Sequence, residues 1–216
     1  MSALDRAGLR LEMGRGLLRL TPVYSPRRST DVRELSRADL AGRLTEISGY
    51  GPTCALTLAC SLILDAQMEG ETVAWITTRD RSFYPPDLEE AGVDLAALAV
   101  VRCPDGRSMA RAADRLARSG AFGLLILDLG GTGHVPLPLQ TRLAGLARAH
   151  DMALVLLTEK PEDSPSVGSL VSLRLKAERL KGPHGLFLAR AQAIKDKRYG
   201  PGWGREISCH GPPGLC

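Results

Sequence analysis

This sequence predicts an α/β fold: a central, mostly parallel sheet flanked by helices, with an antiparallel strand extension at its C-terminal end. Three observations carry that expectation. Between residues 41 and 160, apolar runs of strand length alternate with segments of helical periodicity, the pattern of βαβ units with right-handed crossovers. A Gly/Pro-rich turn at residues 49–52 joins the first such run to a long apolar helix. After residue 160, three strand-like segments follow one another with no helix between them.

The elements follow in order. Residues 1–40 read as an arginine-rich arm and residues 41–216 as the core. In the arm, Leu9, Leu11, Leu17, Leu18 and Leu20 suit a short hairpin or an amphipathic piece, residues 24–30 a linker, and 31–41 a short helix opened by Thr30 or Asp31. Residues 53–68 are apolar nearly all round, as in a helix buried against a sheet. Residues 72–78 form a β-branched strand, 86–92 a short helix and 98–103 a second strand. Ser108 can cap a helix whose Met109, Ala112, Ala113 and Leu116 share one face. Residues 124–129 are a continuous apolar run carrying Asp128, suited to a central parallel strand. Leu139, Leu143, Leu146 and Ala147 make the next helix stripe, and 152–158 another buried strand. Strands are expected at 167–175, 185–194 and 205–209, with a turn at 181–185.

Composition narrows the function. The hydrophobic share of 44% supports a real core, and aromatics at 4% make that core aliphatic. Of the 28 basic residues only five are Lys. Arginine codon preference explains that bias, as does a partner presenting carboxylates or phosphates, which Arg binds bidentately. The five cysteines (54, 60, 103, 209 and 216) form no CxxC pair and no cluster with histidine. This speaks against a zinc site and for reduced thiols in a cytoplasmic protein. His134, His150, His184 and His210 lack local partners and read as surface residues. No secretory signal and no apolar run of membrane-spanning length is evident, so no membrane partner is expected.

The chemistry concentrates in residues 46–61. A strand running into glycines and then a helix is the context of a phosphate-binding loop, where backbone N–H groups and the helix N-terminus favour phosphate. Gly49 and Gly51 supply the turn. A working loop also needs Lys for the outer phosphates and Ser/Thr for Mg²⁺. Ala55 and Leu56 stand in those two places, and neither carries charge, donates a hydrogen bond or ligates a metal. No bound cofactor or metal is expected. No Ser/His/Asp or Cys/His constellation stands out, and the chain is not expected to be an enzyme.

The order of pieces resembles the RecA core. It runs from residues 42–47 before the loop, through 69–76, 88–94, 117–121 and 124–128, to 141–146, 154–158, 171–175 and 193–197. The resemblance implies several positions. RecA's catalytic glutamate falls at Arg79, and a guanidinium cannot serve as that base. Asp128 ends the strand of the Mg²⁺-associated carboxylate, or remains there only as a capping, solvated residue. The DNA-binding loops fall at 130–138 and 160–169; both are short, and Glu162 and Asp163 in the second repel phosphate. Lys195 and Lys197 match positions that reach a neighbouring subunit's nucleotide, or form a solvated strand end before the turn at 198–204.

A RecA core without ATPase residues or DNA loops resembles the ImuA group, itself similar to the division inhibitor SulA. The resemblance implies a binding protein of damage-induced (SOS) translesion mutagenesis. Its partners would be an ImuB-like polymerase-family protein, RecA and, indirectly, an error-prone replicative polymerase. Lys195, Lys197, Arg198 and Trp203 are the candidate partner-binding residues, Trp203 as an anchor between glycines. A division inhibitor, or a regulator binding ATP or DNA in an unusual way, are the alternatives. The arm's eight arginines against five carboxylates allow only weak non-specific DNA binding. The oligomeric state stays open.

Overall fold

The computed structural model describes residues 9–14, 17–22, 34–81, 83–131, 134–182 and 186–210. They fall into two units, Met1–Val32 and Arg33–Cys216. In the first, β1 (Leu9–Gly14) and β2 (Leu17–Pro22) pair antiparallel, with Leu11 opposite Leu20 and Met13 opposite Leu18. The hairpin is therefore the outcome for the leucines of the arm. The linker at 24–30 and the helix start at Thr30 or Asp31 lie outside the described residues.

The second unit runs α1 (Arg37–Leu40), β3 (Arg43–Gly49), α2 (Ala55–Met68), β4 (Val73–Thr78), α3 (Pro85–Glu90) and β5 (Leu98–Cys103). It continues with α4 (Gly106–Ser119), β6 (Leu124–Gly130), α5 (Leu137–Ala149), β7 (Ala153–Glu159), β8 (Leu173–Lys181), β9 (Leu186–Asp196) and β10 (Gly204–His210). The eight strands form one sheet in the order β10-β9-β8-β3-β7-β6-β4-β5. Pairing is parallel from β8 to β5 and antiparallel from β8 through β9 to β10. The predicted α/β architecture with its antiparallel extension is the observed one.

The pleat divides the core. Leu124 and Ile126 of β6 and Val155 of β7 face α2, while Leu125, Leu127, Leu154 and Leu156 face α4 and α5. A one-residue slip in either strand would exchange the two sets. Leu58, Leu62 and Ile63 of α2 are fully buried, each worth about 1.5–3 kcal/mol in apolar transfer. Leu40 and Leu88 place α1 and α3 on the α2 side.

Three local expectations change. α1 is one turn, opened at Ser36, whose N–H donates to the Asp39 carboxylate at 3.2 Å. Leu35 and Leu40 are buried in the core cluster, so residues 35–40 pack with the core. α4 begins two residues before Ser108. Its cap is Asp105, which accepts the Ser108 N–H at 2.7 Å; a carboxylate there also meets the positive end of the helix dipole. The strand expected at 167–175 starts only at Leu173. The Val167 N–H goes to the Glu46 carboxylate and the Val171 N–H to the Gly168 carbonyl, which withdraws both from a ladder. Among the described residues no helix is long and apolar enough to cross a membrane.

Candidate functional site

The loop between β3 and α2 lies at the carboxyl ends of the parallel strands, where open α/β sheets bind ligands. Gly49 is required by close approach: a Cβ there would fall 2.0 Å from the Thr53 hydroxyl oxygen. Gly51 takes a left-handed φ of +66°, open to glycine without strain. Thr53 closes the loop on itself. Its hydroxyl accepts from the Ala55 N–H at 3.2 Å and donates to the Ala177 carbonyl of β8 at 3.2 Å. The Cys54 thiol adds a bond to the Glu178 carbonyl at 3.0 Å, and burial pushes that thiol up to about 11.

Ala55 points into the core, whereas Leu56 is 50% and Tyr50 74% exposed. The adjoining pocket of about 400 Å³ contains Lys160, Lys176 and Arg179 but also Glu162 and Glu178. Lys176 bridges Glu162 and Glu178, each at 2.7 Å. A Mg²⁺-nucleotide does not fit these residues. The cationic and hydroxyl positions are apolar, and the neighbouring lysine is already neutralised.

Asp128 lies two residues before the end of β6 and is 2% exposed. Burial pushes its carboxyl above the ordinary range, and Arg81 partly offsets this. The Arg81 guanidinium lies 3.2 Å from Asp128 and 2.6 Å from Glu159, while Thr77 donates to Asp128 at 3.4 Å. A side-chain cation thus sits between the two carboxylates. Arg79 is exposed and opens, with Arg81, Arg107 and His134, onto a cleft of about 940 Å³.

The segment 160–169 is fastened to the sheet by buried charge. Arg174, 4% exposed, donates to the carbonyls of Pro161 at 3.0 Å, Glu162 at 3.3 Å and Ser164, and to the Ser48 hydroxyl at 3.2 Å. Glu46 is wholly buried. It accepts from Thr158 at 2.9 Å and from the Val167 N–H at 2.9 Å, and pairs with Lys160 at 2.6 Å.

No family model matches this chain. Among curated proteins, RecA of Fusobacterium nucleatum is 36% identical over 87 residues, 40% of this chain and 23% of that protein. RecA of Chlorobium chlorochromatii is 34% identical over 87 residues, covering 40% and 24%, and RecA of Haemophilus ducreyi 34% over 87 residues, covering 40% and 23%. The chain is RecA-like. The match spans about a quarter of the length of these RecA proteins.

On this RecA-like core, the four candidate partner-binding residues are engaged within the chain. Lys197 donates to the Ser169 carbonyl at 2.6 Å, and Lys195 reaches the Ser166 hydroxyl at 3.5 Å. Burial, then Lys197, lowers the Lys195 pKa. The Arg198 N–H and the Trp203 indole N–H donate to the two oxygens of Asp196 at 2.8 and 2.9 Å, and Arg43 completes that carboxylate's shell. The Trp203 ring also lies 4.8 Å under the Arg205 guanidinium. His134 and His150 are exposed, while His184 and the His210 side chain lie outside the described residues.

Sequence reading missed Glu46, Arg81, Thr53, Glu159 and Arg174. For Glu46 and Arg174 a signal existed: Glu46 precedes Ile47 and Arg174 lies between Leu173 and Leu175, and a charge beside buried apolar neighbours is tolerated only when it is paired.

Proposed function

We propose that this chain is a non-enzymatic accessory protein of damage-induced translesion mutagenesis, of the ImuA type. It acts through contacts with an ImuB-like polymerase-family protein, with RecA, or with both, and can thereby inhibit RecA-mediated recombination. The observation that carries this reading is the replacement of the nucleotide-handling groups on a RecA-like core. Ala55 and Leu56 occupy the phosphate and Mg²⁺ positions, Arg79 the place of the base, and Arg81 fills the approach to Asp128. The anchoring of segment 160–169 by Arg174 and Glu46 supports it too, since a segment held this way is not free to wrap a DNA strand.

A physical route to inhibition exists. Head-to-tail filaments grow through a heterologous interface. A look-alike with one competent face and one incompetent face ends such growth. The test is titration of the purified chain into a RecA strand-invasion reaction with excess ATP, beside a pull-down with an ImuB-like protein. The expected result is inhibition well below one molecule per RecA, or capture of the ImuB-like protein. Neither effect at several-fold excess would overturn the reading.

A further inference from the structure

The two helix layers of the core differ in charge. α4 and α5 carry six arginines and one carboxylate, Asp114. On the other side of the sheet, α1, α2 and α3 carry five carboxylates and one arginine, Arg37. In α4, Arg107, Arg111, Arg115 and Arg118 fall within about 80° of one another around the axis, at about 100° per residue. They lie on the side opposite the buried Met109, Ala113 and Ala117, and all four are exposed. The single carboxylate is spent. Asp114 pairs with Arg118 at 2.9 Å and with Arg142 of α5 at 3.1 Å. Among the described residues Arg107, Arg111, Arg115 and Arg148 have no ion-pair partner.

Folding gains from Arg118, which pairs with Asp114, and little from Arg107, Arg111 and Arg115. Like charges four apart on a helix repel, and Arg107 in the first turn opposes the helix dipole. A polyanion laid across the face reverses the sign of both effects. The surface also says which polyanion. Protein partners seat on desolvated aromatic or aliphatic anchors. The outward side of α4 presents no large exposed apolar side chain; on this layer only Leu137, at the start of α5, is exposed, at 56%. Dispersed arginines without an apolar anchor match the way phosphate backbones are held, by charge and counterion release.

We propose that the outward face of α4 binds the phosphate backbone of nucleic acid without reading its sequence, through Arg107, Arg111, Arg115 and Arg118. The site is separate from segment 160–169 and from the β3–α2 loop, and stands whether or not the accessory role does.

The test uses the full chain. Fluorescence anisotropy follows binding to a labelled single-stranded oligonucleotide and to a duplex of equal length, between about 50 and 200 mM salt. Two sequences of each are compared. The variant is Arg111→Gln with Arg115→Gln; both side chains are exposed, so its thermal midpoint should equal that of the unaltered chain. The control is Arg102→Gln with Lys181→Gln, which removes the same charge elsewhere. We expect sequence-indifferent binding by the unaltered chain and the control. The variant should bind at least about tenfold more weakly at low salt. Its slope of log K against log salt should be shallower by about 1.4–1.8, the loss of two phosphate contacts at about 0.7–0.9 each. The proposal is overturned by undiminished binding of the α4 variant, which would put the contact in the arm 1–40. It is also overturned by no binding at low salt, by salt-insensitive binding, or by preference for polyglutamate over the oligonucleotides.

Discussion

β3 and the loop that follows it treat polar chemistry in opposite ways. Within the strand, Arg43, Glu46 and Ser48 are buried, and each is tied to residues more than a hundred positions away. In the loop, the positions that would handle a nucleotide are apolar, and Tyr50 and Leu56 face solvent. Charge is present where it fastens the chain to itself and missing where it would hold a ligand. A RecA-like sheet can therefore be well secured by charge while the two motif positions at its ligand end, Ala55 and Leu56, stay apolar.

The largest test of this contrast removes Asp196, the buried partner of Arg43. Asp196→Ala leaves Arg43 uncompensated and strips acceptors from Arg198 and Trp203, at an expected cost of about 3–5 kcal/mol in urea unfolding. A cost under about 1 kcal/mol would break the comparison. Acid sharpens it. Burial pushes the Asp196 carboxyl up, but Arg43, the Arg198 N–H and Trp203 outweigh burial and hold it below the ordinary range. The stabilisation is complete above the unfolded value near 3.9 and is lost as pH falls through the lowered one. The gap between the unaltered chain and the variant should close below about pH 4.

Next in size is Arg174→Met, which frees the carbonyls at Pro161, Glu162 and Ser164. We expect a loss of about 2–3 kcal/mol and new protease cleavage within 160–169. Unchanged cleavage would mean the segment is held without Arg174. Smaller again is Asp128→Asn, expected within about 1 kcal/mol of the unaltered chain. Because burial raises the Asp128 pKa, the unaltered chain loses stability as pH rises through the carboxylate range, and the asparagine variant does not. The difference should move toward the variant as pH rises; the reverse would mean Arg81 governs that carboxylate. The smallest expected effect is that of ATP with Mg²⁺. At about 1 mM it should shift the melting temperature by less than about 1 °C, the shift that half-saturation would produce. A larger shift would show a working nucleotide site and dissolve the contrast.

Much of the scaffold was legible residue by residue. The run at 98–103 is β5 to the residue, and 72–78 differs from β4 by one position. Those segments announce themselves because β-branched, apolar stretches favour strand backbone locally; β4 is then buried on both faces, while β5, at the sheet edge, leaves Ala99, Val100 and Arg102 exposed. The start of β8 was misplaced because residues 167–172 are as apolar as a strand, while Glu46, far away in sequence, takes the Val167 N–H. The loss of Lys and Ser/Thr from the loop was readable, since those roles belong to fixed positions in a local motif. The engagement of Lys195, Lys197 and Trp203 was not, because a charged or aromatic residue near a turn looks the same whether it faces solvent or a carbonyl.

The sequence alone determined the α/β order, the antiparallel end and the replaced loop residues, because periodicity, turn chemistry and motif spacing are local properties of the chain. The tertiary structure decided which charges meet: Arg81 with Asp128, Arg43 with Asp196, Arg174 with the carbonyls of 160–169, and, among the described residues, four arginines of one helix layer without an ion-pair partner. Ion pairing depends on distance and burial, and strands distant in sequence acquire both only when the sheet assembles.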